Sequence, residues 1–290
     1  MYDFEIERIN REIKKRRAKR VLIQLPEGLK SEFLKIADKI DAEAVLSADP
    51  CYGACDIQTY PDFDLTVHFG HSKMIDSPSV LYVECYADVD SSKVVEKAAK
   101  ILQGKRVGLL TTVQHMDQLP KAKKVLEKNG KRVVLGGQVL GCDVSNADRI
   151  KDKVDEFLFI GSGRFHGLGI AYFTEKKVLI ADPYTGAVEG VDPMKPYKEK
   201  HLRIAKAHDA RVFGVIVGAK PGQKKIAIAE KVKKRLEKEG KKAHLILINE
   251  ITPEKLDYLP FDAYVITACP RIVIDDWKNY KKALLLPEEL

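Results

Sequence analysis

The sequence predicts an α/β protein of three similar domains, each a roughly four-stranded parallel sheet flanked by helices, meeting at a central site. Three observations carry this expectation. Short continuous apolar runs recur along the chain, as in strands buried on both faces. Helix-like segments separate them, as parallel crossovers require. The pattern also restarts twice, with opening strands near Val21, Val107 and Val212. The expected domains are 1–103, 104–205 and 206–290. One continuous doubly wound sheet of twelve strands is the alternative. It is disfavoured by boundary-like stretches at Gly104-Lys105 and Lys195–Ala210.

In the first block, Asp3 to Arg20 reads as an amphipathic helix whose apolar side carries Phe4, Ile6, Ile9 and Ile13. A β-rich run, Arg20–Leu25, ends in the turn residues Pro26-Glu27-Gly28. A helix over Lys30–Ile40 follows, then strands at Glu43–Ala48, Leu65–His71 and Val80–Glu84. In the second block, helix Lys93–Leu102 leads into strand Gly104–Thr112. Helix Pro120–Lys128 and strands at Arg132–Leu135, Glu156–Gly161 and Lys177–Asp182 complete it. The third block follows a polar, helix-prone linker at Lys195–Ala210. It has strand Arg211–Gly218, helix Lys225–Glu239, and strands at His244–Ile248, Ala263–Ala268 and Lys282–Pro287.

Composition narrows the class of function. A hydrophobic fraction of 45% and a charged fraction of 32% over 290 residues suit a soluble protein of two or three domains. No apolar run approaches the roughly 18–20 residues that span a bilayer. Residues 1–7 are charged and lack a signal-peptide core, so a cytoplasmic protein is expected. The net charge of +8 comes from helical Lys/Arg runs such as Lys14–Arg17 and Lys231–Arg235. Without an aromatic-interleaved basic motif these read as solvated helix faces, and no direct nucleic-acid binding is expected.

Five cysteines stand in the chain, Cys51, Cys55, Cys85, Cys142 and Cys269, and an odd count without secretion argues against a disulfide framework. Cys51 and Cys55 follow the second strand of block one, Cys142 the second strand of block two, and Cys269 the third strand of block three. Ligands of open α/β sheets gather at these carboxyl ends. Cys55, Cys142 and Cys269 are 87 and 127 positions apart, so only the tertiary fold can bring them together. Three thiolates suit an iron–sulfur cluster, and on a 4Fe–4S cluster they leave one iron open to substrate. Gly53 and Gly141 would let backbone amides approach the sulfurs. Cys51 either joins Cys55 on one metal or sits beside the site, and Cys85 reads as a buried, inert thiol.

A second set of residues looks like a substrate pocket. Gly161–Gly169 follows a strand and carries four glycines, Arg164 and His166. Thr111–His115, Gly136-Gly137-Gln138 and Asp182-Pro183-Tyr184 end other strands. His115 and His166 read equally well as structural residues. The glycine run lacks a phosphate-loop ending and does not match GxGxxG. The loop Val217–Lys224 carries lysines that either steer an anion or are solvated.

Four motifs now stand together: Tyr52–Asp56, Gly137–Cys142, Gly163–His166 and Thr267–Arg271. Over nearly the whole chain and in order, they resemble the archaeal diphthamide-biosynthesis family, the 2-(3-amino-3-carboxypropyl)histidine synthases. The resemblance implies a triplicated α/β fold, a homodimer, and a 4Fe–4S cluster held by Cys55, Cys142 and Cys269. It implies reductive cleavage of S-adenosylmethionine, with an electron donor, and addition of the 3-amino-3-carboxypropyl radical to a histidine of translation elongation factor 2. Gln138, Ser162, Arg164 and His166 are the expected S-adenosylmethionine contacts. Arg271 is a further candidate, for a carboxylate or for the cluster's charge; no residue is assigned as catalytic. Two rivals remain at this stage: a 4Fe–4S hydro-lyase of the quinolinate-synthase type, and a metal module that binds nucleic acid through its lysines.

Overall fold

The structure is a computed structural model that describes residues 2–290. Helix α1 (Ile6–Arg16) precedes β1 (Arg20–Gln24), α2 (Phe33–Ala37), β2 (Glu43–Leu46), β3 (Leu65–Phe69) and β4 (Val80–Val83). Then come α3 (Ser92–Ile101), β5 (Arg106–Thr111), α4 (Leu119–Lys128), β6 (Arg132–Gln138), α5 (Ser145–Asp148), β7 (Glu156–Ile160), α6 (Phe165–Thr174), β8 (Val178–Ala181) and β9 (Val188–Val191). The last stretch holds α7 (Met194–Lys206), β10 (Val212–Gly218), α8 (Ile226–Lys238), β11 (Lys242–Ile248), α9 (Pro253–Asp257), β12 (Ala263–Ile266), α10 (Pro270–Asp275) and β13 (Ala283–Leu285).

Three sheets form, with strand orders β2-β1-β3-β4, β6-β5-β7-β8-β9 and β11-β10-β12-β13. Each thus repeats the order second-first-third-fourth, with all of those strands parallel. In such an order the switch point lies between the first and third strands, where their crossovers leave toward opposite sides. By contact, residues through Asp88 with Lys220–Gln223 make one compact unit, and Val89–Ala219 with Lys224–Leu290 make another.

One carboxylate clasp recurs in every sheet. Asp64 accepts from the backbone N–H groups of Lys19 and Arg20 at 2.7 and 3.0 Å. Asp155 does the same for Lys105 and Arg106 at 3.1 and 2.8 Å, and Asp262 for Arg211 and Val212, both at 2.9 Å. In each case the aspartate just before the third strand pins the start of the first. The threefold pattern is therefore written into hydrogen bonding as well as into strand order.

Differences from the sequence expectation have local causes. The linker at Lys195–Ala210 is mostly helix α7, anchored because Arg203 is only 1% exposed. Arg203 pairs with fully buried Glu289, which also accepts from the Tyr172 hydroxyl. Strand β9 is additional and antiparallel to β8. Asp182 makes the turn between them, its Oδ1 accepting from the N–H groups of Tyr184 (2.8 Å) and Thr185 (3.2 Å). Helix α1 starts late because Glu5 is left-handed, and Glu27–Glu32 winds as a 3-10 helix ahead of α2.

Both faces of the second and third sheets are apolar. The first sheet differs. One face packs Val21, Ile23, Leu65, Val67 and Phe69 under α1 and α2. The other turns Gln24, Thr66 and His68 inward, all 2% exposed or less. A polar face buried this deeply has to be hydrogen-bonded throughout, and the cysteine-bearing loop after β2 supplies partners. Among the described residues, no helix is long and apolar enough to cross a membrane.

Candidate metal centre

In the first unit, the loop after β2 carries Cys51 and Cys55. Cys55 is half-buried, and residues Lys220–Gln223 seat it. The Gly222 N–H donates to the Cys55 carbonyl at 3.1 Å, and the Gln223 side-chain amide donates to Cys55 Sγ at 3.4 Å. The backbones meet so closely that a Cβ on Gly222 would lie 2.4 Å from Cys55 Cα. Lys220 Nζ binds Asp56 Oδ2 at 2.6 Å and lies 5.5 Å above the Tyr52 ring. Of the two readings of this loop's lysines, Lys220 thus takes neither: it holds the carboxylate next to Cys55. Gly53 does less than expected. A Cβ there would meet Cys55 Sγ at 3.6 Å, an ordinary contact.

Cys85 is fully buried and its thiol is pushed up to about 12 by burial. Such a thiol is inert at neutral pH. Cys51 is also buried and pushed up to about 12, first by burial and then by the Asp56 charge. It faces the two histidines at the end of β3, and Cys51, His68 and His71 bring their ligand atoms within 4.8 Å of one another.

In the second unit, Cys142 and Cys269 share a neighbour. Cys142 sits in a tight loop after β6, closed by the paired backbones of Leu140 and Asp143. Cys269 caps α10, with Pro270 in its first turn. Arg271, 4% exposed, lies near enough to feel both sulfurs. Burial lowers its pKa, while Asp275 and the charges of Cys269 and Cys142 push it back up. A guanidinium does not give up its proton in a protein, so this is a buried fixed positive charge. It binds Asp275 at 2.6 Å, reaches the Gly141 carbonyl at 3.5 Å and lies 4.1 Å from the Phe165 ring centre. Its Nε has no partner. Phe165 presses on Gly141 so closely that a Cβ there would sit 2.0 Å from the ring. Glycine at 141 is what lets the Cys142 loop, Phe165 and Arg271 stack.

The expected substrate residues are spread around the carboxyl ends of β6, β7 and β8. Gln138 ends β6, its carbonyl accepting from Asn146 at 2.5 Å. Ser162 bonds the Asp182 carboxylate. Burial pushes that carboxyl up, but Ser162 and the N–H groups of Tyr184 and Thr185 outweigh it and hold it below the ordinary value. Arg164 is exposed and paired with Glu189. His166 stacks on Phe159 with centroids 5.3 Å apart and meets Phe165 edge-on. His115 is buried against Tyr184, its Nδ1 lacks a partner, and burial lowers its pKa against the pull of Asp117 and Asp182. The structure therefore brings Cys142, Cys269, Arg271 and Phe165 together, but gives Arg164 a carboxylate partner of its own. Sequence reasoning missed Phe165, Gly222 and Gln223. For Gly222 and Gln223 the signal was Pro221-Gly222, since such a pair marks a turn; for Phe165 it was its place in the Gly163–His166 motif.

The diphthamide synthesis protein family matches residues 25–290 of this chain. The chain belongs to the diphthamide-synthesis family. Its relatives include the 2-(3-amino-3-carboxypropyl)histidine synthase of Pyrococcus horikoshii, 40% identical over 97% of this chain and 87% of that protein. The synthase of Methanocaldococcus jannaschii is 31% identical over the whole chain and 89% of its own length. Subunit 1 of the Caenorhabditis elegans synthase is 31% identical over the whole chain and 79% of its own length. The crystal structure of Dph2 from Pyrococcus horikoshii superposes with a TM-score of 0.86 at 39% identity, covering all of this chain and 90% of that one. A second crystal structure of that protein, with the same TM-score, contains a 4Fe–4S cluster. Three parallel-dominated sheets flanked by helices are thus the family's architecture.

Proposed function

We propose that this diphthamide-family chain is a 2-(3-amino-3-carboxypropyl)histidine synthase. It takes the 3-amino-3-carboxypropyl group from S-adenosylmethionine and transfers it to a histidine of translation elongation factor 2, the first step of diphthamide biosynthesis. The reading extends the three sheets to three domains, 1–103, 104–205 and 206–290, each contributing one cysteine to a shared 4Fe–4S cluster. The working enzyme is a cytoplasmic homodimer served by an external electron donor. The observation that carries the reading is the match to a named synthase along 97% of the chain, in a chain whose three half-buried cysteines follow strand ends.

The donor set fits the cluster. Cys55, Cys142 and Cys269 are all half-buried, whereas Cys51 and Cys85 are sealed in. Cluster-bound thiolates carry negative charge, and the fixed guanidinium of Arg271 beside Cys142 and Cys269 offsets it. The Gln223 amide donates to the Cys55 sulfur, an interaction that raises a cluster's reduction potential. When bound, the cluster supplies one electron for reductive cleavage of the sulfur–Cγ bond and an iron without a protein ligand.

The remaining work falls to the chain's own residues. Gln138, Ser162, Arg164 and His166 bind S-adenosylmethionine and orient its Cγ. Arg164 exchanges Glu189 for the substrate carboxylate, which a guanidinium can grip bidentately. Phe165 and Phe159 give the pocket an apolar wall. Positioning then decides which carbon–sulfur bond breaks.

The test is anaerobic incubation of the reduced protein with labelled S-adenosylmethionine and elongation factor 2. Label should appear on the factor, with methylthioadenosine released. A reduced, cluster-loaded protein that releases no methylthioadenosine overturns the reading.

A further inference from the structure

The buried polar face of the first sheet holds a group of side chains that the synthase reaction leaves unused. His68 ends β3, and Gly70 turns the chain back so that His71 meets it. Gly70 has φ +78°, and a Cβ there would strike Pro26 at 2.8 Å, so only glycine makes this turn. His68 Nε2 then lies 3.0 Å from His71 Nδ1. Cys51 completes the group, with all three ligand atoms within 4.8 Å of one another.

The surroundings settle which nitrogen of His68 is bare. The Gln24 amide nitrogen donates to the Asp56 carbonyl at 2.6 Å, which fixes the amide's orientation. Its Oε1 must then accept, and it lies 2.9 Å from His68 Nδ1. His68 therefore carries its proton on Nδ1 and presents the Nε2 lone pair to His71 Nδ1. A histidine whose far nitrogen donates to a fixed oxygen is the usual outer-shell arrangement of a metal ligand. Both rings are also held neutral. Burial pushes His68 down to about 3, helped by His71, and pushes His71 down to about 4 against a hydrogen bond that its ring donates to the Phe69 backbone.

We propose that Cys51, His68 and His71 form a mononuclear metal site for Zn2+ or a similar borderline-soft divalent ion, separate from the iron–sulfur cysteines. One sulfur and two imidazole nitrogens are a zinc-type donor set, and three protein ligands leave a fourth position for water. Tetrahedral zinc at its usual bond lengths separates two ligand nitrogens by roughly 3.3 Å. The imidazoles need to part by only about 0.3 Å from their 3.0 Å contact. On binding, the Cys51 thiol loses its proton and His71 carries its own on Nε2, freeing Nδ1. The metal offsets the burial that otherwise keeps Cys51 protonated. Its structural effect is to tie Cys51 to the end of β3.

The experiment titrates the anaerobically purified, iron-loaded protein with Co2+ and Zn2+, and measures zinc and iron per chain by elemental analysis. One Co2+ should bind with the d–d bands of a tetrahedral site and a thiolate charge-transfer band, and Zn2+ should bleach both. Cys51→Ser should remove the charge-transfer band, and His71→Ala should abolish stoichiometric binding, each with iron content unchanged. Gln24→Leu should weaken Co2+ binding about 10- to 100-fold, the usual effect of losing an outer-shell partner. The proposal fails if the wild type binds no Co2+ in a tetrahedral thiolate site, or if His71→Ala binds it as the wild type does. It also fails if Cys51→Ser loses iron, which would make Cys51 an iron ligand. These readouts do not depend on synthase activity, so they stand whether or not the proposed function does.

Discussion

Gly222→Ala tests how Cys55 is held. The added methyl would lie 2.4 Å from Cys55 Cα, 2.6 Å from its Cβ and 3.0 Å from its carbonyl oxygen. Carbon atoms in contact rest at about 3.5–4.0 Å, so the two backbones must separate by about 1.1–1.6 Å. Neither neighbour is the tip of a flexible side chain, so the strain falls on Cys55 itself. Overpacking of this kind costs about 1–3 kcal/mol. Metal–ligand distances tolerate only about 0.2 Å. If the whole cost falls on cluster binding, iron affinity drops about 5- to 150-fold. The assay is anaerobic reconstitution at limiting iron, reading iron and sulfide per chain and the brown absorbance. Gly28→Ala is the control, because a Cβ there meets nothing within 4 Å. A Gly222→Ala protein that loads iron like the wild type and the control would refute the reasoning, either about the contact or about Cys55 as a ligand.

Cys55→Ala, Cys142→Ala and Cys269→Ala should each lose most cluster absorbance, whereas Cys85→Ala should keep it; a bleached Cys85→Ala protein would contradict the assignment. Glu289→Ala leaves Arg203 buried without its carboxylate, and losing one partner of a buried pair costs about 3–5 kcal/mol; chemical denaturation giving less than about 1 kcal/mol would show the pair to be dispensable. Asp155 is held at about 2, below its ordinary 3.8, chiefly by the Arg106 guanidinium and then by the Arg106 N–H. A depressed carboxylate contributes stability that is present above its unfolded pKa and lost as pH falls through the folded one. Stability should therefore fall between about pH 4 and 2, and Asp155→Asn should flatten that fall; an unchanged acid limb would exclude the clasp as a contributor.

Much of the architecture was legible because it rests on local chemistry. Buried parallel strands must be apolar along their length, so Val21–Ile23, Val107–Leu110 and Val212–Val217 announce themselves. Lys195–Ala210 was read as a polar, helix-prone linker; that α7 is anchored in the core went unread because its anchor, Glu289, lies 86 residues away from Arg203. Strand β9 was missed because its exposed Glu189 and Gly190 carry no strand signal. The aspartate clasps at Asp64, Asp155 and Asp262 were in plain view, one before each third strand, yet an aspartate before a strand reads as an ordinary turn residue.

The chain's residue types alone determined which thiols stood at strand ends and which family the chain resembles. They also set three blocks in one order, because strand and helix periods are local properties. Tertiary structure alone decided that Arg271 lies near both Cys142 and Cys269, since the loops of those cysteines lie 127 positions apart. It also decided that Gly222 seats Cys55, and that Cys51 faces His68 and His71. Contacts between distant segments depend on how sheets and loops close over one another, and no local pattern encodes that closure.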